Sequence, residues 1–400
     1  MIFICPAEKC TGCSACASIC PHDCITMVAD EQGFLFPHLD GDGCTDCGGC
    51  KAVCPSLHIK KSYHPDTPQV YAGWSKAESV RFHSASGGVF TVLASRILDD
   101  GGIVFGVAYD ENMVAKHIAV HREEDLRKLQ NSKYVQSDVG NAYLEARDLL
   151  SRGKRVLFSG TPCQIAGLYS IVERNHENLL TCDLLCHGVP SPGLFAEYVR
   201  YLELRFKAKL VDINFRHKLR GWKKPCRMGV FDNDREHILA NHCDAYNSWF
   251  LADMSLRSAC YDCRYRSVNR LGDISLGDFW GIGDSVPFDH DTENGVSLIL
   301  LNSEKGCQLI EWMVESLHIE ERTLEEAIVR NRMALDGHQP KPGNRERFLE
   351  DWNQLGFGPL ADKYLAGKGL KRLAKALIPP RLMIILRRHR AKILEKWGKA

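Results

Sequence analysis

The sequence predicts a small α+β module at the front, an α/β body behind it and a helical, basic C-terminal tail. Three observations predict this order. Two matching cysteine runs fall before residue 57. From Val70 to about Asn302, short apolar runs alternate with amphipathic stretches, the pattern of strands and helices in turn. The last 38 residues, Lys363–Ala400, hold twelve Lys/Arg and one acidic residue, Glu395.

The cysteine runs define the first element. One reads Cys10-x-x-Cys13-x-x-Cys16-x-x-x-Cys20-Pro21 and the other Cys44-x-x-Cys47-x-x-Cys50-x-x-x-Cys54-Pro55. A Cys-x-x-Cys spacing brings two thiolates to one metal centre from a tight turn. Three such cysteines wrap three corners of a 4Fe-4S cube, and the fourth cysteine of each run crosses to the other cluster. The expected sets are Cys10, Cys13, Cys16 and Cys54 for one cluster, and Cys44, Cys47, Cys50 and Cys20 for the other. Small residues between them let backbone N–H groups approach the sulfurs. Zinc ribbons also use Cys-x-x-Cys pairs, but zinc has no use for two matching runs of four with a trailing proline. The front is therefore expected to be an α+β ferredoxin-like dicluster module over residues 1–60. Cys5 and Cys24 fall outside the pattern and are expected to be packing residues.

A polar stretch from Lys60 to Pro68 reads as a linker. The body is expected over residues 70–320. Its candidate strands are Ile103–Ala108, Arg155–Ser159, Leu179–Leu185, Asp273–Leu276 and Val296–Leu301. Its candidate helices are Gly87–Leu98, Val139–Leu150, Pro162–Glu173, Ser191–Phe206 and Lys305–Glu315. Ser191 before Pro192 reads as an N-cap followed by proline at the first helical position. No Gly-x-Gly-x-x-Gly follows a strand and no phosphate-binding P-loop is present, so an ordinary nicotinamide site has no support. Residues 321–400 read as a polar segment and a basic amphipathic tail that includes Leu382-Met383-Ile384-Ile385-Leu386-Arg387-Arg388. Such a tail is either a peripheral membrane or acidic-partner anchor or a solvated terminal helix.

Composition is that of a globular protein: 44% hydrophobic, 25% charged, net charge +1. The charge argues neither for nor against nucleic acid, and no nucleic-acid partner is expected. Eighteen cysteines without a visible signal peptide point to a reducing cytoplasm and metal ligation, not disulfides. No apolar run approaches the ~20 residues of a membrane span.

Four body cysteines sit in suggestive places. Cys163 follows Ser159-Gly160-Thr161-Pro162, a tight strand-to-helix turn, and Cys186 comes just past another strand. Cys260-x-x-Cys263 precedes the stretch Gly272-Asp273 to Gly281. Loops beyond the carboxyl ends of strands converge on ligand sites in α/β sheets. On spacing alone, a third cluster, a zinc site and buried thiols all remain open.

Further motifs fall in a recognisable order. They are Ser86-Gly87-Gly88, Ser132-Lys133-Tyr134-Val135-Gln136-Ser137, Gly160-Thr161-Pro162-Cys163-Gln164, Cys186-His187-Gly188-Val189-Pro190-Ser191, Phe215-Arg216-x-Lys218 with Gly221-Trp222, and Asp273-x-x-x-Gly277-Asp278-Phe279-Trp280-Gly281. In this order the chain resembles the beta subunit family of coenzyme F420 hydrogenases and dehydrogenases, of the bacterial type found at polysaccharide loci. The resemblance covers roughly residues 70–320, with the dicluster module in front as in many members. It implies that the α/β body binds FAD. It also implies that Cys163, Cys186, Cys260 and Cys263 hold a third 4Fe-4S cluster beside the flavin. Ser86, Gly87, Gly88, Ser132, Lys133, Tyr134, Gln136 and Ser137 become candidate cofactor-binding residues. Asn131 stands where relatives often carry glycine.

His187, Lys133, Arg216 and Lys218 are the candidate catalytic residues, placed to orient an anionic substrate or move protons. Trp222 and Trp280 read as core aromatics. The leading functional class is an iron–sulfur flavoenzyme passing electrons between clusters and FAD, with hydride chemistry on a small molecule. Coenzyme F420 and polysaccharide-pathway intermediates are the candidate substrates, and a ferredoxin or another oxidoreductase is the candidate redox partner. The second class is an electron-transfer adaptor feeding a partner enzyme. The third, a zinc-stabilised binding protein, is disfavoured by the double run.

Overall fold

A computed structural model describes residues 4–58, 67–337 and 339–365. Most of the linker, and the tail stretch through Leu382–Arg388, lie outside the described residues.

The front module is a duplicated turn-and-helix unit closed by a hairpin. Helices α1 (Ala15–Ile19) and α2 (Gly49–Ala52) each begin one residue after a left-handed position, Ser14 at φ 63° and Gly48 at φ 72°. Strands β1 (Ile25–Ala29) and β2 (Leu35–Leu39) pair antiparallel.

The body strands are β3 (Gln69–Ser75), β4 (Ile103–Tyr109), β5 (Ala115–Val120), β6 (Val156–Gly160), β7 (Leu179–Leu184), β8 (Leu210–His217), β9 (Cys226–Phe231), β10 (Glu236–Leu239), β11 (Ile274–Asp278), β12 (Ser297–Leu301) and β13 (Leu317–Arg322). The body helices are α3 (Glu78–His83), α4 (Val89–Asp99), α5 (Ala142–Ser151), α6 (Pro162–Leu168), α7 (Pro192–Phe206), α8 (Ala245–Phe250), α9 (Glu304–Gln308), α10 (Ile310–Ser316), α11 (Leu324–Leu335) and α12 (Arg345–Leu355).

Eight strands form one mixed sheet in the order β13-β3-β12-β11-β7-β6-β4-β5. The run β11-β7-β6-β4 is parallel and the remaining pairings are antiparallel. Parallel strands are covered on both faces and so read as continuous apolar runs; every residue of β6 is buried. On one face, Val89, Leu93 and Ile97 of α4 pack on Val104, Leu157 and Ile299. On the other, α5 and α6 pack on Phe105, Val156 and Phe158. A second sheet, β10-β9-β8, builds a separate core with α7, α8 and α12 around Phe215, Tyr198, Trp249, Phe348 and Trp352.

The five expected strands are present as β4, β6, β7, β11 and β12. Ser191 caps α7 as expected: its hydroxyl accepts from Leu194 N–H at 3.0 Å. Two helices differ. α6 stops at Leu168, where the Ile171 and Val172 N–H groups both turn back to the Leu168 carbonyl. The single helix expected over Lys305–Glu315 is divided at Leu309 into α9 and α10. The polar segment after residue 320 is also structured. Ala327 and Leu335 of α11, and Phe348 and Trp352 of α12, enter two of the body's cores. Among the described residues, no helix is long and apolar enough to cross a membrane.

Candidate metal and cofactor centre

The two front runs cross as the pattern requires. Cys10, Cys13, Cys16 and Cys54 lie close enough for their charges to act on one another, and all four are buried. Cys20, Cys44, Cys47 and Cys50 line one cavity and are more open, with Cys47 exposed. The first group is thus an inner set and the second an outer set. Cys5 and Cys24 pack against these sets. Hydrogen bonding from Cys5 pulls Cys10 and Cys54 down to about 6, partly opposed by burial, while Cys5 itself is pushed up. Burial pushes Cys13 up to about 11. Cys24 lines the outer cavity and its thiol donates to the His22 carbonyl at 3.4 Å.

The body cysteines come together from three segments. β6 and β7 are adjacent and parallel, so Cys163, at the start of α6, and Cys186, two residues past β7, share one edge of the sheet. Thr161 and Gln164 cap α6 reciprocally, and the Thr161 hydroxyl lies 3.2 Å from Cys163 Sγ. Cys260 ends a 3-10 turn, Ser258–Cys260, and Cys263 follows. Asp183 on β7 and Arg270 secure that segment; their side chains are 0% and 1% exposed and meet at 2.7 Å. The four cysteines line one cavity of about 30 Å³ together with Thr11, Arg257 and Tyr265. Burial pushes the Cys163 thiol far up, Cys186 to about 11 and Cys260 to about 12, and their mutual repulsion adds to this. Thiols so placed ionise against the positive charge of a metal centre. The Val189 N–H already points at Cys260 Sγ at 3.5 Å. Among the described residues, no three His, Cys, Asp or Glu side chains converge on a single-ion site.

The inner set and the body set meet at a shared wall. Thr11 belongs to the first run yet lines the body cavity. The Tyr265 phenol is pushed up by burial and then by Cys163, Cys13, Cys263 and Cys54, so it faces cysteines of both sets. α6 comes so close that a Cβ on Gly167 would lie 3.1 Å from Cys13 Cβ and 2.7 Å from Tyr143 Oη. A larger cavity of about 350 Å³ shares Pro162, Tyr265 and Arg270 with the first and reaches Cys54 and His58. The module is pinned around this wall. Gln136 Nε2 donates to the Thr11 carbonyl at 2.9 Å, Arg264 donates to the Ser56 carbonyl at 3.1 Å, and the Gln32 carbonyl accepts from Ser191 Oγ at 2.5 Å and Gly193 N at 3.0 Å.

The other candidate residues gather along the neighbouring edge. Gly88, at φ 89°, precedes α4; Ser86 Oγ donates to the Val296 carbonyl, and Gly87 N–H donates to Ser297 Oγ. A Cβ on Gly87 would strike the Gly73 carbonyl, so this position requires glycine. The loop 130–137 joins this edge to the cysteines: Gln130 Nε2 reaches Thr91 of α4 at 3.4 Å, and Ser137 Oγ accepts from Gln164 Nε2 at 2.9 Å. Asn131 has φ 64°, a conformation that glycine and asparagine adopt most readily. Ser132 is half-buried. Tyr134 packs its ring on Phe215 and Phe250, at 5.0 and 4.8 Å.

The four expected catalytic side chains have firm partners. His187 Nε2 lies 2.7 Å from Asp253 Oδ1. Lys133 donates to the Lys128 and Gln130 carbonyls at 2.8 and 2.5 Å, and burial lowers it to about 8. Lys218 donates to the carbonyls of Arg81, Ser86 and Asn294 at 2.5, 2.5 and 2.6 Å. Its ammonium ties α3 to two loops and offers no free donor to a substrate. Arg216 pairs with Asp278 at 2.9 Å and lies over the Trp280 ring at 4.8 Å. Trp222 is buried, stacks on Trp280 at 4.7 Å and donates to Asp278 at 2.5 Å, the core role expected of it. Arg216 Nε, Asn131 Oδ1 and His117 Nε2 are buried with no hydrogen-bond partner. Thr11, His117, Asp183, Arg257, Tyr265 and Arg270 are site residues that the motifs did not single out.

Comparison with known proteins follows the same division. The N-terminal family of the coenzyme F420 hydrogenase/dehydrogenase beta subunit matches residues 70–143, and the corresponding C-terminal family of that same subunit matches residues 153–327. The 4Fe-4S dicluster domain family matches residues 9–57. No curated protein matches the sequence. Among solved structures, a chain of the F420-reducing NiFe hydrogenase complex from Methanosarcina barkeri, studied by xenon derivatization, matches at 15% identity with a TM-score of 0.46. The match covers 75% of this chain and 97% of that one.

Proposed function

The chain belongs to the coenzyme F420 hydrogenase/dehydrogenase beta subunit family and carries a 4Fe-4S dicluster domain in front, and from that premise we propose that it is an iron–sulfur flavoprotein oxidoreductase. The inner set, the outer set and the body set each hold one 4Fe-4S cluster in this reading. Thiolate is the ligand that iron–sulfur clusters select, and each set supplies four. The edge formed by Ser86–Gly88, the loop 130–137 and Arg216 holds FAD. It suits a polar cofactor because Arg216 Nε and Asn131 Oδ1 are buried there without partners, and because the start of α4 favours an anionic group.

When bound, the clusters supply one-electron transfer and the flavin supplies interconversion with two-electron hydride chemistry. The residues of the chain position these groups. Arg270 and Asp183 fix the Cys260–Cys263 segment, and Lys218 holds the loops on which Ser86 sits. Arg216 and the His187–Asp253 pair are the charged groups offered to a small-molecule substrate. Coenzyme F420 and polysaccharide-pathway intermediates are the substrates to try. One observation carries the reading: the inner set of the module and the four body cysteines share Thr11 and Tyr265 as a common wall.

Anaerobic purification with iron, sulfide, zinc and flavin analysis tests it. Three clusters require about twelve iron per chain, with one FAD. About eight iron would remove the body cluster, and zinc without acid-labile sulfide would remove the redox reading. A second reading, an electron-transfer adaptor serving a partner enzyme, is favoured by the openness of the outer set at Cys47. Reducing the clusters with dithionite and screening acceptors decides between them. The adaptor reading wins if only proteins, and neither F420 nor other small molecules, take up the electrons.

A further inference from the structure

Arg257 is a buried cation at the joint between module and body. It is 1% exposed. Nε donates to the Cys10 carbonyl at 2.7 Å, Nη1 to Gln136 Oε1 at 3.0 Å, and Nη2 to the Leu35 carbonyl at 3.0 Å and to Cys10 Sγ at 3.5 Å. The guanidinium carbon lies 4.2 Å from the centre of the Phe36 ring and 5.3 Å from that of Phe34. Carbonyls, an amide and rings satisfy the donors, but they do not neutralise the charge, and no carboxylate is among these partners. A buried charge without a counter-ion is strongly disfavoured. Two neighbouring groups can become anionic: the body set, whose Cys260 lies within reach of this charge, and the inner set, which alone takes a direct bond from the guanidinium, at Cys10 Sγ. The outer set differs: its described sulfur contacts come from backbone, such as Asp46 N–H to Cys44 Sγ at 3.4 Å, and from the Cys24 thiol, with no cationic side chain among them.

We propose that Arg257 is the built-in counter-ion of the inner 4Fe-4S cluster and holds its potential above that of the outer cluster. The inference rests on the reading that Cys10, Cys13, Cys16 and Cys54 ligate a cluster. A cluster bound by four thiolates is an anion, and taking up one electron adds one negative charge. A fixed cation donating to a ligand sulfur favours that reduced form, because net charge and hydrogen bonds to sulfur set cluster potentials. Arginine stays protonated throughout, so no proton moves with the electron. The backbone N–H of Arg257 is bonded to the Val189 carbonyl of the body at 3.0 Å. The body therefore supplies the charge, and the inner cluster acquires its potential only when the module is docked.

The test is an anaerobic, EPR-monitored redox titration of the full-length reconstituted protein, wild type and Arg257→Met, with dithionite as the electron source. At a fixed ambient potential, the ratio of reduced to oxidised inner cluster should fall about tenfold in R257M, a midpoint drop of about 59 mV for a one-electron couple. The outer cluster should not move. Pulsed EPR on wild-type protein labelled with ¹⁵N-arginine provides a second measurement that needs no variant to fold. A ¹⁵N coupling should appear on the higher-potential of the two front-module cluster signals. An unchanged inner midpoint in R257M overturns the proposal. So does a ¹⁵N coupling that is absent or that belongs to the lower-potential signal. Wild-type protein lacking two 4Fe-4S signals overturns the cluster reading itself and the proposal with it.

Discussion

Replacing Asp183 with Asn tests whether the body cysteine set is held by one buried ion pair. Asp183 Oδ1 accepts from Arg270 Nη2 at 2.7 Å and Nε at 3.2 Å, while Oδ2 accepts from the N–H groups of Gly272 and Leu271 at 3.0 and 3.3 Å. Arg270 in turn donates to the Leu184 and Tyr265 carbonyls at 2.8 and 3.1 Å. The pair thus fixes the chain between Cys263 and β11 against the end of β7. Asparagine keeps the shape but turns two of its lone-pair sites into donors. Either orientation sets N–H against N–H, and Arg270 is left with no negative charge. Removing one partner of a buried pair costs about 3–5 kcal/mol. At roughly 2 °C per kcal/mol, the lower slope for large domains, the melting temperature of D183N should fall by about 6–10 °C. Thermal melts followed by far-UV circular dichroism measure this, and iron analysis tests the proposed body cluster, whose share of about four iron per chain should fall. The double variant Asp183→Leu with Arg270→Met should recover part of the loss, since an apolar pair leaves no charge behind. A D183N melt within about 2 °C of wild type would refute the reasoning.

Other predictions concern the flanks of the site. Burial holds His117 at about 4, below its ordinary 6.5, so the unfolded chain binds more protons between those values. Its contribution to stability is therefore complete above pH 6.5 and fades as pH falls through 4, a difference of roughly 3 kcal/mol. His117→Gln should flatten the pH dependence of urea unfolding across that window, and an unchanged profile would count against it. Lys218→Met strips one buried and two half-buried carbonyls of their donor, a cost of about 3 kcal/mol. A urea midpoint equal to wild type would show that the three bonds are not structural. Gly33 sits at φ 80°, and a Cβ there would collide with Gly193 N. Gly33→Val should lift the hairpin from α7 and speed amide exchange at Gly193 about five- to thirtyfold, from the roughly 1–2 kcal/mol that a left-handed position costs.

The parallel core was legible because doubly covered strands are uninterrupted apolar runs, as in Val156–Gly160. Strands β3, β5 and β13 were not read. β5 and β13 lie on the margins and mix exposed with buried positions, as in Ala115–Val120, which weakens the signal that separates strand from helix. The small sheet was hidden for a similar reason: Phe215 and Arg216 stood out as a motif, but β8 is bulged against β9 and shows no clean alternation. The front cysteine runs were legible because spacing alone constrains ligation, whereas Cys163, Cys186, Cys260 and Cys263 come from three separate segments and only the resemblance joined them into one set. The roles of single cations were not legible. Lys133 and Lys218 sit in motifs, yet their ammonium groups are spent on backbone carbonyls. Arg257, three residues before Cys260, gives no sequence signal of its own, because its importance comes from Cys10, which is 247 positions away in the chain.

The way the front module is seated has a consequence for how electrons reach it. A tethered carrier that swings between two stations must release one surface to meet the next. Here the hairpin tip rests on the start of α7, Gln136 and Arg257 clasp the first cysteine run, and Arg264 holds Ser56. Letting go would tear a buried arginine out of its contacts on every turnover. The module is a plug and not a swinging arm. Traffic must come to it, and any foreign ferredoxin grafted in its place would need Gly33, a ring pair like Phe34 and Phe36, and a glycine at Gly12, where a Cβ would lie 2.8 Å from Gln136 Nε2 and 2.9 Å from Arg257 Nη1, to fit the same socket.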